Sequence, residues 1–267
     1  MPDLNDLTVV KLGGSVITHK DSSPPSVDKE NLYRIARELG YNTGELILVL
    51  GGGAHGHQAA HDHGFGNSST PRDQLLRGVP SIRHNMTTLS YEVEHALNSE
   101  GLGAVVLSPF TMTILHEGEI AHFATETIRK TLDSGLIAVT HGDVCFDDVR
   151  GASILSGDTI AVHLAREMKA KALYLGTDVD GVFEEDPQAN SGAAHIDTID
   201  LSRREAILAS TGPSSVTDVT GGMEKKLDEI FTLAGQGIDI AVFNLGVPGR
   251  LSDLLLGKST VCTRIQI

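Results

Sequence analysis

The chain has 267 residues, of which 40% are apolar, 21% charged and only 4% aromatic, a composition that is typical of a folded α/β protein and excludes a largely disordered one. Its formal net charge of -14 produces a field that repels nucleic acid and anionic membranes, so we expect neither as a partner. Any phosphate ligand must therefore be held by local positive charge, supplied by a few lysines and by backbone amides.

Predicted strands and helices alternate along the whole chain. Short apolar runs rich in β-branched residues predict buried strands. Between them, apolar residues recur with helical spacing, as in Leu32, Ile35 and Leu39, or Ile160 and Leu164. This alternation predicts a three-layer α/β/α fold with a mostly parallel central sheet. The predicted strands cover residues 8–10, 46–50, 104–107, 136–139, 172–175, 238–243 and 261–265.

The sequence has no internal repeat and no long linker, so we expect one domain over residues 1–267, with an acceptor-binding lobe at 1–170 and a nucleotide-binding lobe at 171–267. Only two cysteines occur, Cys145 and Cys262, and we expect both to be buried thiols in a reducing compartment. The first residues resemble no secretory signal, and no apolar stretch is long enough to cross a bilayer. A cytoplasmic location is therefore expected.

Glycine occurs repeatedly where a predicted strand gives way to a helix, in segments 11–15, 51–57 and 156–158. In an open α/β sheet, ligands bind at these carboxyl ends of the strands. Glycine lets backbone amides approach phosphate oxygens, and a helix N-terminus adds a favourable dipole. Each turn taken alone is equally typical of a tight structural turn. Neither a Walker loop nor a dinucleotide-binding fingerprint is present.

Six segments carry the recognisable motifs, in this order: VKLGGSVIT (10–18), GGG followed by GH (51–57), HGD (141–143), SGD (156–158), TDVDGVF followed by DP (177–187), and DVTGGM followed by Lys226 (218–226). Together they resemble the motif set of the amino-acid-kinase superfamily. The Gly-His, Ser-Gly-Asp and Asp-Val-Thr-Gly-Gly-Met forms are similar to those of its isopentenyl phosphate kinase branch.

The resemblance implies an enzyme of isoprenoid biosynthesis that uses ATP, with Mg²⁺ carried mainly by the ATP phosphates, to convert isopentenyl phosphate into isopentenyl diphosphate. It also implies a homodimer. Its catalytic residues would be Lys11, Lys20, His57, Asp158 and Lys226. In the family pattern the lysines contact the nucleotide and acceptor phosphates, the aspartate orients the lysines, and the histidine hydrogen-bonds the acceptor phosphate.

Further binding residues follow from the same resemblance. We expect the acceptor tail to lie between a helix near 82–91 and the segment 144–154. The acceptor-binding residues would be Gly52, Gly53, Gly56, His57 and Gly157. The ATP-binding residues would be Lys11, Gly13, Gly14, Ser15, Asp178, Asp180, Gly181, Gly221, Gly222 and Lys226.

Several alternatives stay open at the level of sequence. Ala54-His55 stands where the isopentenyl phosphate kinases usually carry Ser-Phe, which leaves another small phosphate or a phosphonate such as fosfomycin as the acceptor. A nucleotide or amino-acid sensor, or a kinase of aspartate or acetylglutamate, is a further alternative. The lysines could be solvated surface charges, and Asp158 could be a helix N-cap. Finally, His55, His57, His61 and His63 could form a zinc site.

Overall fold

The structure, a computed structural model, describes residues 6–19, 25–185, 187, 190, 192–203 and 222–266. Its elements are β1 (Leu7–Leu12), α1 (Gly14–Ile17), β2 (Thr18–His19), β3 (Ser26–Val27), α2 (Lys29–Leu39), β4 (Glu45–Leu50), α3 (Gly53–Asp62), α4 (Arg72–Ser99), β5 (Ala104–Val106), α5 (Pro109–Met112), β6 (Thr113–His116), β7 (Glu119–Phe123), α6 (Glu126–Asp133), β8 (Ile137–His141), β9 (Asp143–Asp147), β10 (Gly151–Leu155), α7 (Gly157–Glu167), β11 (Ala172–Thr177), β12 (Val182–Phe183), β13 (His195–Ile196), β14 (Thr198–Asp200), α8 (Gly222–Phe231), β15 (Asp239–Asn244), α9 (Arg250–Leu255) and β16 (Thr263–Gln266).

The central sheet has eight strands in the order β14-β16-β15-β11-β1-β4-β8-β5. Its pairs are parallel except β15 with β16, so the prediction of a mostly parallel sheet is confirmed. β1 lies in the middle and all six of its residues are buried, as expected for a strand that is covered on both faces. The predicted lobe division near residue 170 falls within this continuous sheet and stays a prediction.

Helices cover both faces of the sheet. Alternate residues of β1 belong to different apolar clusters: Val10 packs with residues of α2, α4 and α9, while Val9 packs with residues of α6, α7 and α8. Successive side chains of a strand point to opposite faces, so these two clusters are the two cores of a three-layer fold. Cys145 and Cys262 are free and buried, as predicted. No described helix is long and apolar enough to cross a membrane.

The sequence did not predict the second sheet, which has four strands in the order β10-β9-β6-β7. β9 and β10 pair antiparallel, from Asp143 opposite Leu155 to Asp147 opposite Gly151. β6 alternates buried and exposed residues, so it lacks the continuous apolar run by which the other strands were recognised. This sheet lies beside α4, α5 and the N-terminus of α7.

Polar side chains cap the two helices that flank the site. Asp28 accepts a hydrogen bond from the backbone N–H of Asn31 at 3.0 Å at the start of α2. Ser156 does the same for Thr159 at 3.0 Å at the start of α7. The N-cap of α7 is therefore Ser156, and the alternative that Asp158 serves as the cap is wrong. Asp158 lies in the first turn of the helix, which leaves its carboxylate available for other partners.

Candidate active site

The glycine turns meet at the carboxyl ends of β1, β4 and β8. The backbone N–H of Gly51 donates to Leu12 O at 2.9 Å, and that of Gly142 donates to Leu50 O at 2.8 Å. A Cβ added to Gly157 would lie 2.8 Å from Leu50 O. Only glycine permits such close contact between backbones, so the predicted glycines assemble one continuous wall.

Gly14 is the tightest point of this wall, because a Cβ there would lie 2.2 Å from Gly53 N. Gly53 itself has a φ of +50°, in the left-handed region that favours glycine. We expect Gly14→Ala to reduce the free energy of unfolding by about 2 kcal/mol and to lower activity, because the two turns must separate. Urea unfolding measures the first effect. Gly40→Ala is the control and should cost much less, since Gly40 has a helical φ of -61° and an added Cβ would come no closer than 3.2 Å, to Arg37 O.

The remaining predicted glycines of the two turns also lie at close contacts. Gly13 faces the neighbouring strand, where a Cβ would lie 2.7 Å from Gly176 O. Gly52 and Gly56 face α4, where a Cβ on either would lie 3.4 Å or 3.2 Å from Met86 Sδ. The first turn therefore lies against β11, and the turn at residues 51–57, the predicted acceptor loop, lies against α4.

Three charged side chains converge in front of this wall. Lys11 Nζ lies 3.1 Å from Asp158 Oδ1, and Lys226 Nζ lies 3.8 Å from Asp158 Oδ2. Lys11 comes from β1, Asp158 from the first turn of α7 and Lys226 from α8. Lys11 is only 7% exposed and lies within the strand, so it is not a solvated surface charge. Two lysines therefore share one carboxylate in an otherwise acidic molecule.

The pKa values of the pair reflect burial and mutual attraction. Burial lowers the pKa of Lys11 below its usual range, although the carboxylate of Asp158 acts in the opposite direction. Burial alone would raise the pKa of Asp158, but the charges of Lys11 and Lys226 outweigh it and hold that pKa below its usual range. Asp158 is therefore ionised at neutral pH and fixes the positions of both ammonium groups.

His57 lies in α3 and contributes to the lowered pKa of Asp158, which places the imidazole near the same cluster. His55, on the same helix, is only 4% exposed, and burial lowers its pKa. Within the described residues, no three His, Cys, Asp or Glu side chains are placed to hold a metal ion. The alternative of a zinc site built from His55, His57, His61 and His63 therefore has no support in that part of the chain.

A cleft of about 490 Å³ is lined by the predicted residues Ser15 and Asp178, together with Asn244. The charge of Asp178 acts on Lys11. Asp180 contacts other residues than the lysines. Arg250 Nη1 donates to its Oδ1 at 2.7 Å, and Asn244 Nδ2 donates to the same atom at 3.2 Å. Sequence reasoning missed Asn244 and Arg250, which no motif marked.

Two of the predicted residues, Lys20 and Gly221, lie outside the described part of the chain. Gly222 is the first residue of α8. Gly181 lies against β16, where a Cβ would be 2.4 Å from Thr263 Oγ1. The structure thus brings together Lys11, His57, Asp158 and Lys226 with the glycine turns, and places Asp178 at their edge.

Sequence comparison assigns this arrangement to a family, since a model of the amino acid kinase family matches residues 6–244. The chain belongs to the amino acid kinase family. A match over most of the chain includes both sides of the central sheet and every residue of the charged cluster. The fold and site therefore agree with the family assignment.

Individual members of the family extend the comparison. The isopentenyl phosphate kinase of Methanothermobacter thermautotrophicus is 36% identical over 97% of this chain and 98% of its own length. The isopentenyl phosphate kinase of Methanocaldococcus jannaschii is 34% identical over 94% and 96%. A crystal structure of an isopentenyl phosphate kinase superposes with a TM-score of 0.85 at 34% identity, covering 97% of this chain and all of that chain.

Proposed function

We propose that this protein is an isopentenyl phosphate kinase, which transfers the γ-phosphoryl group of ATP to isopentenyl phosphate and releases isopentenyl diphosphate and ADP. The observation that carries the proposal is the convergence of Lys11 and Lys226 on Asp158 in front of the glycine turns, with His57 near enough to help lower the pKa of that carboxyl. The full-length likeness to two isopentenyl phosphate kinases supports the choice of acceptor.

The reaction brings two anions together, because a phosphate monoester carries close to two negative charges at neutral pH. An oxygen of the acceptor phosphate forms a bond to the γ-phosphorus while the bond from that phosphorus to the bridging oxygen of ADP breaks. Charge spreads over the equatorial oxygens of the transferred group. The protein therefore contributes mainly position and positive charge, rather than a base that removes a proton.

The described side chains can be given roles in this step. Lys11 and Lys226 would contact the transferred and leaving phosphoryl groups, while Asp158 holds both ammonium groups in place. His57 would donate a hydrogen bond to the acceptor phosphate. Backbone amides of the glycine turns would complete the cradle, with the dipole of α7 favouring negative charge at Gly157. The role of Lys20 stays a prediction.

Mg²⁺ would come with the nucleotide and neutralise part of the charge on its phosphates. The side chains of the site fit this arrangement. Asp158 is engaged by two lysines, and the described part of the chain has no set of three metal-ligating side chains. The metal would therefore take its oxygen ligands from phosphate and water, as Mg²⁺ commonly does.

The hydrocarbon tail of the acceptor needs an apolar surface next to the phosphate. Ile82 and Met86 of α4 and Val144 of β9 belong to one apolar cluster, and Ile154 of β10 packs against it. Met86 also borders Gly52 and Gly56 of the acceptor loop. This apolar contact between α4 and the β9–β10 hairpin supports the expectation that the tail binds there.

The proposal is tested by an ADP-release assay with isopentenyl phosphate, fosfomycin, N-acetylglutamate and aspartate side by side. We expect turnover with isopentenyl phosphate and little with the others. No turnover with isopentenyl phosphate, or faster turnover of another acceptor, contradicts the proposal. The expected homodimer and cytoplasmic location also stay predictions.

His57→Ala should lower kcat/KM for isopentenyl phosphate by about 10²-fold, the usual effect of losing a hydrogen bond to a charged group in the transition state, and should leave the KM for ATP unchanged. His61→Ala is the matched control, one turn further along α3 and exposed, and should behave as the parent protein. A His57→Ala protein as active as the parent would remove the role assigned to this residue.

A further inference from the structure

A buried polar group at the junction of β8 and β9 takes no part in the proposed mechanism. His141 is 1% exposed and Asp143 is 2% exposed. Asp143 Oδ1 accepts a hydrogen bond from the backbone N–H of Val144 at 2.9 Å, and Arg83 Nη1 donates to Asp143 Oδ2. His141 Nδ1 lies 3.5 Å from the same oxygen. A carboxyl group buried this deeply requires a specific partner, and that partner is Arg83.

Arg83 joins three elements of the fold. It belongs to α4, donates to the first residue of β9, and its guanidinium carbon lies 5.2 Å from the ring centroid of Phe110 in α5. Phe110 packs in turn against Phe146 of β9, with ring centroids 4.8 Å apart. A planar guanidinium can offer one edge to a carboxylate and one face to an aromatic ring. Lysine cannot reproduce this arrangement.

Both residues of the Arg83–Asp143 contact have chain neighbours that lie against the candidate site. On α4, Met86 follows Arg83 by one turn and borders the acceptor loop at Gly52 and Gly56. On the other side, Asp143 follows Gly142, where a Cβ would lie 2.8 Å from Gly157 N. The contact therefore connects the helix that supports the acceptor loop with the turn that lies against the N-terminus of α7.

We infer that the Arg83–Asp143 pair is a positioning element that determines acceptor selectivity, by fixing the spacing between α4 and the β9–β10 hairpin. Ile82 and Val144 are buried in one apolar cluster and Ile154 packs against it, so this spacing sets how closely the two elements pack. That the acceptor tail binds between them rests on the proposed function. The position of the Arg83–Asp143 pair does not depend on it.

Arg83→Met tests the inference, because methionine keeps the apolar stem of arginine and removes its charge and planar donors. Steady-state kinetics at pH 8 compare isopentenyl phosphate with the longer geranyl phosphate. We expect the KM for isopentenyl phosphate to rise about tenfold, the KM for ATP to stay unchanged, and the ratio of kcat/KM for geranyl phosphate to that for isopentenyl phosphate to rise about tenfold. Arg83→Lys should show a smaller change in the same direction.

Two further proteins make the result specific. Arg37→Met is the matched control, because Arg37 forms an exposed ion pair with Glu100 at 3.2 Å away from the site, and it should match the parent. Asp143→Asn keeps the shape of the partner and removes its charge, so it tests the inference if Arg83→Met does not fold. It should raise the same selectivity ratio.

An unchanged selectivity ratio in Arg83→Met, or in Asp143→Asn where the first variant does not fold, overturns the inference, as does an equal rise in KM for both substrates. If the parent does not turn over isopentenyl phosphate, the proposed function fails by itself. Calorimetric binding of isopentenyl phosphate and geranyl phosphate to the parent and the variants then measures the same selectivity. Equal preference in parent and variants would overturn the inference there as well.

Discussion

Lys11→Met should lower kcat for isopentenyl phosphate by about 10³-fold or more, because it removes a buried cation that lies where charge develops in phosphoryl transfer. Lys11 has no substitute within the described site, since Lys226 Nζ already lies 3.8 Å from the shared carboxylate. The methionine has nearly the same shape as the apolar part of lysine. Coupled ADP release under saturating ATP measures the change.

The same substitution leaves Asp158 with one partner instead of two, and breaking a buried ion pair typically costs about 3 kcal/mol or more of stability. Lys11→Met/Asp158→Asn separates the two effects. Removing the carboxylate should restore much of the stability and none of the activity. Lys171→Met is the surface control, since Lys171 pairs with Asp6 at 2.8 Å in an exposed position. Activity recovered in the double variant would contradict a direct role for Lys11.

Local patterns predicted the elements that are regular along the chain. The apolar run at residues 46–50 became β4, and the spacing of Leu32, Ile35 and Leu39 became α2. The position of Lys11 next to a glycine turn also predicted that this lysine belongs to the candidate site. Strands that carry turns at the same edge must bring those turns together, so the cluster around Asp158 could be anticipated once the sheet was known to be mostly parallel.

What the sequence could not predict depends on distant residues meeting in space. Arg83 and Asp143 are 60 positions apart, and nothing near Arg83 distinguishes it from an exposed helical arginine. Asn244 and Arg250 lie 64 and 70 positions from Asp180. α4 also runs through Pro80, a residue that ordinarily ends or kinks a helix. The long-range contacts leave no signal in the neighbouring sequence, and the helix continues through Pro80 against the usual preference of proline.

The buried pair His141 and Asp143 has opposite effects on the pH dependence of stability. Burial lowers the pKa of His141 to about 4, although its hydrogen bond to Gly142 O acts in the opposite direction. Burial raises the pKa of Asp143 to about 7, although Arg83 acts to lower it. Between these values the folded protein holds one proton on Asp143 and none on His141, whereas the unfolded chain holds one on histidine and none on aspartate. The two proton counts are equal.

Stability depends on pH only where folded and unfolded states bind different numbers of protons, so this pair contributes almost no slope in the parent. In Asp143→Asn only His141 remains. Its contribution to the free energy of unfolding is complete above pH 6.5 and is lost as the pH falls towards about 4. A shift of this size corresponds to about 3 kcal/mol. In His141→Gln only Asp143 remains. Its contribution to the free energy of unfolding is complete below pH 3.8 and is lost as the pH rises towards about 7.

We therefore expect the two single variants to diverge from the parent in opposite directions. Relative to the parent, Asp143→Asn should lose stability from pH 6.5 down to 4.5, and His141→Gln should lose stability from pH 4.5 up to 6.5. Urea unfolding at both pH values gives the differences directly, because the other carboxylates titrate alike in all proteins. The double variant should follow the parent. If both single variants also ran parallel to the parent, the two groups would not be exchanging a proton with the unfolded chain, and burial would not control their ionisation.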